Sequence, residues 1–440
     1  MSLPNILFMT SHDIGDWLGC YGHKTVHTPN LDKLAAKGCR FDNNFCTSPI
    51  CAPSRGAMMT GRYPQTNGIM GNIQAPYHWR YNKGERHLSH LLDEQGYHTV
   101  LFNFQHEATF DNPLGFRERR AVDTGSKKLM TGEHVSTAEE TAEEFIKFLK
   151  DYDSESNPFY AQIGFFETHT PYNFGNTEMD DSLGIGIPPY MVDEKKEREH
   201  IAGLQGAIRG LDEAIGQILS ALSESGLEKD TIIIFVADHG VEFPHCKCYL
   251  YDGGIHSALL MKLPRSLSKG GKICDWLISN IDVAPTLFDL LDLPCPDNLQ
   301  GRSFADFFRN DEATPTRETV FAMMQADGKY VESRCIRTTQ YKLIRNFSPS
   351  RAPETPFKLG EVGISQGALE ERPLVELYDL HNDPYELNNL GLEPSLKRVR
   401  KDLNERLFIW LNEVKDPILK GPTPTAYYRM AIADLMKSNN

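Results

Sequence analysis

Two short polar clusters stand out for the chemistry their residue types could perform. Ser11-His12-Asp13 follows the apolar run Ile6 to Met9, and Asp238-His239-Gly240 follows the run Ile232 to Val236. Near-continuous apolar runs of this length read as strands buried on both faces of a parallel sheet, and such sheets gather ligands beyond the carboxyl ends of their strands. Two carboxylates and two imidazoles placed there would make a divalent-metal site of mixed oxygen and nitrogen donors. A third segment reads Cys51-Ala52-Pro53-Ser54-Arg55, followed by Thr60-Gly61-Arg62. A lone cysteine is more often an inert buried thiol than a reactive group, so Cys51 gains meaning only from the residues around it.

Those residues resemble the signature of the type I sulfatases of the alkaline phosphatase superfamily. There, Cys-x-Pro-Ser-Arg followed by Thr-Gly-Arg directs a maturation enzyme to oxidise the cysteine to formylglycine. The resemblance implies that Cys51 is the precursor of the nucleophile and that Arg55 belongs to the same site. A serine that accepted a sulfuryl group would be left as a stable ester, whereas one hydroxyl of a hydrated aldehyde attacks sulfur and the other later collapses to expel sulfate. The resemblance also implies that His12, Asp13, Asp238 and His239 bind one divalent metal that touches residue 51. Three further positions match the sulfate pocket: His106 for sulfate release, His169 facing the leaving-group oxygen, and Lys247 binding a sulfate oxygen.

The match has two departures. The family pattern has two adjacent aspartates in the first loop, where this chain has His12 and then Asp13. Calcium is the metal the family implies; an imidazole in place of a carboxylate makes manganese or zinc a competitor. The family also carries a lysine two residues before the histidine equated with His106, where this chain has Phe104. Arg55 or another residue would have to fill that gap. The run His245-Cys246-Lys247-Cys248 invites a zinc reading, but it lacks the second ligand pair of a tetrahedral site.

The elements that must position these residues follow from patterning. Apolar runs recur at Ile6 to Met9, Thr99 to Phe102, Phe159 to Phe166, Ile232 to Val236 and Ala258 to Met261, with helical periods between them. One helix is predicted from a capping box at Ser136 and Glu139, with Ala142, Phe145, Ile146 and Leu149 on one face. Another is predicted over about 200–223. The alternation predicts an α/β fold, a mostly parallel central sheet flanked by helices. After about residue 315 the pattern changes to two short strands within Val331 to Arg345, the run Leu377 to Leu380, and a helix near Leu396 to Val414. These predict a catalytic domain over 1–315 and a small C-terminal α+β subdomain over 316–440. The stretch 348–372, rich in Pro, Gly and Glu, reads as an excursion near the rim of the site.

The chain has 440 residues, with 46 Lys and Arg against 60 Asp and Glu, a net charge of -14. That balance disfavours nucleic acid and anionic membranes as partners and leaves an anionic substrate to a local basic pocket. With no basic segment ahead of the first apolar run, the expected location is cytoplasmic. Nine cysteines without a spaced framework suit reduced thiols. The expected activity is hydrolysis of a sulfate ester or sulfamate on a small sulfated substrate, with an N- or O-sulfated saccharide as candidate; Phe243-Pro244 and Lys247-Cys248 point toward the N-sulfoglucosamine sulfohydrolase branch. A phosphonate monoester or phosphodiester hydrolase of the same superfamily is the alternative, and a non-catalytic binding protein on this scaffold is a more distant one.

Overall fold

A computed structural model of the chain describes residues 3–437 except 75, 110, 111, 113, 121–126, 129–133, 154–156, 269, 327–330 and 350–371. Its centre is an eight-stranded sheet. In spatial order the strands are Lys272–Cys274, Cys39–Phe41, Leu259–Lys262, Thr231–Ala237, Asn5–Ser11, Phe159–Gly164, His98–Asn103 and Glu118–Arg120. Asn5–Ser11 lies between two parallel neighbours, Thr231–Ala237 and Phe159–Gly164. The two polar clusters that follow Asn5–Ser11 and Thr231–Ala237 therefore emerge side by side at the same edge.

Strand alternation divides the core into two layers. Leu7, Met9, Phe102, Ile163, Ile233 and Phe235 pack against the helices Ala138–Asp151 and Lys195–Glu224. Ile6, Phe8, Leu101, Tyr160, Ile232 and Ile234 face the opposite way, against Met58 and Met59 of the helix Cys51–Thr60 and Leu287 of the helix Val283–Leu290. The capping box of the first helix sits one residue later than expected: the Thr137 side chain accepts from Glu140 N–H, and the Glu140 carboxylate accepts from Thr137 N–H. Ser136 instead lies before the helix and donates its N–H to Asn103 Oδ1. Both Ser-x-x-Glu and Thr-x-x-Glu satisfy the capping pattern here, so the sequence alone could not choose between them.

One strand runs against expectation. Leu259–Lys262 is antiparallel to both neighbours. Burial on both faces reports depth in the core and not direction; the segment leading to it holds only the four-residue helix Asp252–Ile255 and no crossover helix, so the chain returns beside the strand it has just left.

The C-terminal sheet has four antiparallel strands, Val320–Ala326, Val331–Arg337, Tyr341–Asn346 and Val375–Asp379. The first was not anticipated, nor was the last helix, Ala426–Lys437. One face of this sheet packs on Leu403, Leu407 and Trp410 of the helix Lys397–Glu413. The other meets Phe45, Ile50, Leu250 and Ile255 of the larger layer. The expected excursion over 348–372 falls almost wholly outside the described residues. Among those described, the nine cysteines form no disulfide, and no helix is long and apolar enough to cross a membrane.

A buried charge network ties the two sheets together just beyond Lys247. Lys342 Nζ lies 2.5 Å from Asp252 Oδ1 and 2.9 Å from Glu386 Oε1, while Arg337 Nη2 lies 3.0 Å from Asp252 Oδ2. Burial, and next the repulsion of Asp252 against the attraction of Lys342, leave the Glu386 carboxyl pushed up to about 7. Lys342 is fully buried, so removing its charge leaves the buried Glu386 carboxylate without its cation, while Asp252 keeps Arg337. Lys342→Met should cost about 3–5 kcal/mol of stability near neutral pH. The deficit should shrink as pH falls from about 8 to about 6, because without the lysine Glu386 takes up a proton more readily in the folded than in the unfolded chain. Denaturant unfolding of both proteins across that range measures it; a deficit that grows on acidification contradicts the charge argument.

Candidate active site

The helix Cys51–Thr60 begins on the reactive residue itself, preceded by Ile50 in extended conformation with no side-chain cap. The first N–H groups of a helix have no intrahelical acceptor and carry the positive end of its dipole, so this end of the helix favours an anion. Cys51 Sγ lies 3.2 Å from His239 Nε2 and 3.8 Å from Asp13 Oδ1. Burial, relieved in part by Lys247 and reinforced by Asp13 and Asp238, holds the Cys51 thiol well above the ordinary cysteine range. As an unmodified cysteine it is therefore a poor nucleophile.

Asp13 and Asp238 are fully buried and adjacent, the Asp13 N–H donating to Asp238 Oδ1 at 3.0 Å. Asp13 takes a left-handed backbone, φ 42°, that aims its carboxylate back across the strand ends. Its Oδ2 meets Lys247 Nζ at 2.5 Å, and its Oδ1 lies 3.1 Å from His239 Nε2. Asp238 Oδ2 accepts from Arg55 Nε at 2.9 Å and lies 3.2 Å from His12 Nδ1. Burial opposes the charge on both acids, but Lys247, His169 and His239 around Asp13, and His239, Arg55 and His12 around Asp238, hold both carboxyls far below the usual range. Each buried anion thus has its own cation, which is the condition under which buried charge is tolerated.

The donor atoms of His12, Asp13, Cys51 and Asp238 all lie within 4.8 Å of one another. Among the described residues neither nitrogen of His12 makes a well-directed hydrogen bond, its Nδ1 lying 3.2 Å from Asp238 Oδ2 and 3.5 Å from Asp13 Oδ1, although the side chain has no exposure. A buried imidazole left in that state, facing two carboxylates, fits a role as metal ligand. In this set the sulfur stands where an oxygen of a hydrated formylglycine would be. His239 lies at the edge of the group, its Nδ1 bonded to Gly240 O at 2.9 Å and its Nε2 between Cys51 and Asp13.

Lys247 and His169 form the other wall. His169 Nε2 lies 3.5 Å from Lys247 Nζ, and its Nδ1 lies 2.7 Å from Thr170 O, a contact only an N–H can make. Burial and then Lys247 push the His169 imidazole down to about 4, so it is neutral near pH 7, whereas Asp13 and Glu242 outweigh burial and hold Lys247 protonated. Glu242 was missed in the sequence. It lies 3.4 Å from Lys247 Nζ and accepts from Thr170 Oγ1 at 2.7 Å. Its place in the sequence, between Asp238 and Lys247, was the signal available; its burial beside Lys247 came only with the fold.

His106 completes the cluster through ring contacts, 5.9 Å from His12 and 5.2 Å from Phe104. Its left-handed φ of 97° is strain of a kind that concentrates at functional sites. Gly164 is required beneath this loop, since a Cβ there would lie 1.8 Å from Phe104 O. Phe104 itself fills the space between its neighbours, 4.8 Å from the His12 ring and 5.5 Å from the Arg55 guanidinium carbon. Arg55 Nη2 makes no hydrogen bond among the described residues. The cation that could replace a lysine at 104 is thus present beside that position. The run His245 to Cys248 does not converge: His245 stacks on Tyr251 at 3.7 Å and Cys246 bonds Tyr190.

The chain is similar in sequence and fold to known proteins. It is 25% identical to the human N-sulphoglucosamine sulphohydrolase over 95% of this chain and 92% of that one. A crystal structure of a putative sulfatase from Bacteroides fragilis superposes with a TM-score of 0.76 at 22% identity, covering 96% of this chain and 98% of that one. The phosphonate monoester hydrolase of Agrobacterium radiobacter has the same fold, with a TM-score of 0.71 at 21% identity and coverage of 96% and 98%. The profile of the N-sulphoglucosamine sulphohydrolase C-terminal region matches residues 240–354, and the sulfatase profile matches residues 4–293, more than half of the chain and every site residue described above. The chain is a member of the sulfatase family.

Proposed function

We propose that this sulfatase removes sulfate from an N- or O-sulfated sugar, with residue 51 oxidised from cysteine to formylglycine by a maturation enzyme. The observation that carries the reading is the placement of Cys51, at the uncapped start of a buried helix, within contact of Asp13 and His239. The sugar is supported by the likeness to N-sulphoglucosamine sulphohydrolase, in the full-length relative and in the C-terminal profile.

One hydroxyl of the hydrated aldehyde attacks sulfur, the S–O or S–N bond to the sugar breaks, and the second hydroxyl then collapses to the carbonyl as sulfate leaves. Asp13 and Asp238, near the Cys51 sulfur, hold the two acceptors that orient the hydroxyls. Lys247 carries the proton on this side of the pocket, and His169 Nε2 is positioned to accept from it, so the pair can neutralise charge on the departing oxygen or nitrogen. Arg55 Nη2 and the helix N–H groups face the sulfate oxygens, while the Phe104, His12 and Phe166 rings exclude water around them. Donors fixed in a dry pocket stabilise developing charge without reorganising. A divalent metal held by His12, Asp13, Asp238 and an oxygen of residue 51 would add positive charge against the sulfate.

The phosphonate reading retains one observation in its favour, the shared fold with a phosphonate monoester hydrolase. Turnover of N-sulfated and 6-O-sulfated glucosamine, an aryl sulfate and an aryl phosphonate monoester separates the readings; faster turnover of the phosphonate than of every sulfated compound would overturn ours.

Three outcomes are expected. Peptide mass analysis of the protein coexpressed with a formylglycine-generating enzyme should find an aldehyde at residue 51, and Cys51→Ala should abolish turnover while leaving the unfolding midpoint unchanged; sustained hydrolysis by that variant removes Cys51 from the mechanism. Lys247→Ala should lower kcat for sugar sulfates by roughly 10²–10³, the usual loss for one positioned donor, and by less for an activated aryl sulfate whose leaving group needs no proton. In His106→Ala, a role in sulfate release predicts a sulfated adduct at residue 51, visible in intact-protein spectra during turnover.

A further inference from the structure

Among the described residues, both ring nitrogens of His12 are buried at the strand ends without a hydrogen bond. Its Nδ1 lies 3.2 Å from Asp238 Oδ2 and 3.5 Å from Asp13 Oδ1, so a ring nitrogen and one oxygen of each acid come together. Both carboxylates already answer to cations: Asp13 to Lys247 and Asp238 to Arg55. The ring is held beside the two acids by the apolar faces of Phe104 and Phe166.

We infer that His12 Nδ1 makes this a nitrogen-containing site that selects a borderline transition-metal dication, manganese or zinc, over calcium. The inference rests on the sulfatase reading of the same site. Calcium takes six to eight oxygen ligands and gains little from imidazole, whereas imidazole suits the first-row transition ions. The donor set is short for calcium on a second count: two carboxylates, one imidazole and residue 51 supply few oxygens, and Asp13 and Asp238 each commit one oxygen to a cation. Phe104 belongs to the same selection. Its ring lies 4.8 Å from the His12 ring and leaves an apolar surface beside the imidazole where the family pattern would put a charged lysine. An anionic ligand at position 12 would stand against this ring and unbalance the charge, so the histidine and the phenylalanine fit one another.

The test is metal binding by the full-length protein stripped with chelator, in the Cys51→Ala background so that a thiol cannot favour soft ions. Calorimetric titration with Mn²⁺ and with Ca²⁺ should give a dissociation constant at least tenfold lower for Mn²⁺. His12→Asp should reduce the Ca²⁺/Mn²⁺ ratio of dissociation constants by at least tenfold, and His12→Gln, which keeps the charge and offers oxygen, should reduce it in the same direction. Pulsed electron paramagnetic resonance of bound Mn²⁺, with His239→Gln added so that a second imidazole does not contribute, should show coupling to an imidazole nitrogen that both His12 variants lose. Calcium binding as tight as manganese, or a ratio and nitrogen coupling unchanged in the variants, would overturn the inference. Binding is read without turnover, so a protein that hydrolyses sulfate yet prefers calcium refutes only this inference, and one that prefers manganese yet leaves every sulfate intact refutes only the proposed activity.

Discussion

Two carboxylates without solvent exposure, Asp13 and Asp238, set the terms for everything around them. Burying an ionised group without compensation costs several kcal/mol, so each acid must be met by a partner in a fixed position. Lys247 meets one and Arg55 the other, at distances that leave no room for water between them. That pairing fixes three chain segments relative to one another: the loop after Asn5–Ser11, the helix Cys51–Thr60, and the loop after Thr231–Ala237 that returns toward Leu259–Lys262. Cys51 is carried on the helix and so arrives at the acids as a consequence of the charge balance.

The same demand explains why a second sheet is needed. Lys247 lies on an irregular loop, and irregular backbone is held only if its polar groups and neighbours are. Asp252, five residues on, is gripped by Arg337 and Lys342 from the C-terminal sheet, and Glu386 accepts from its backbone N–H. Arg337 also lies 4.2 Å over the Phe45 ring, which belongs to the catalytic layer. The smaller sheet is therefore part of the support for the cation that faces Asp13.

Aromatic rings line the space around His12. Phe104 and Phe166 close the pocket around His12, with ring separations of 4.8 and 5.6 Å, and the His169 ring stacks on Phe166 at 5.0 Å. Aromatic walls lower the local dielectric, so each donor aimed into the pocket counts for more than it would in water. They also limit how many water molecules can accompany a bound anion or ion.

The sequence by itself determined where particular residue types stand: Cys51 within the sulfatase pattern, the acids at the strand ends, and the layered α/β core read from its apolar runs. Each of these is a local property, carried by residue type and spacing over a few positions. What lies at a distance along the chain was decided only by the tertiary structure. The direction of Leu259–Lys262 could not be read from its burial, and the strand Val320–Ala326 is defined by pairing with Val331–Arg337, a partner that composition does not announce. Glu242 looked like one acid among many until the fold set it beside Lys247 and Thr170. Arg55 and Phe104 were 49 positions apart until a guanidinium came to rest 5.5 Å from a ring. Charge balance and ring packing act between atoms a few ångströms apart, and only the folded chain brings those atoms together.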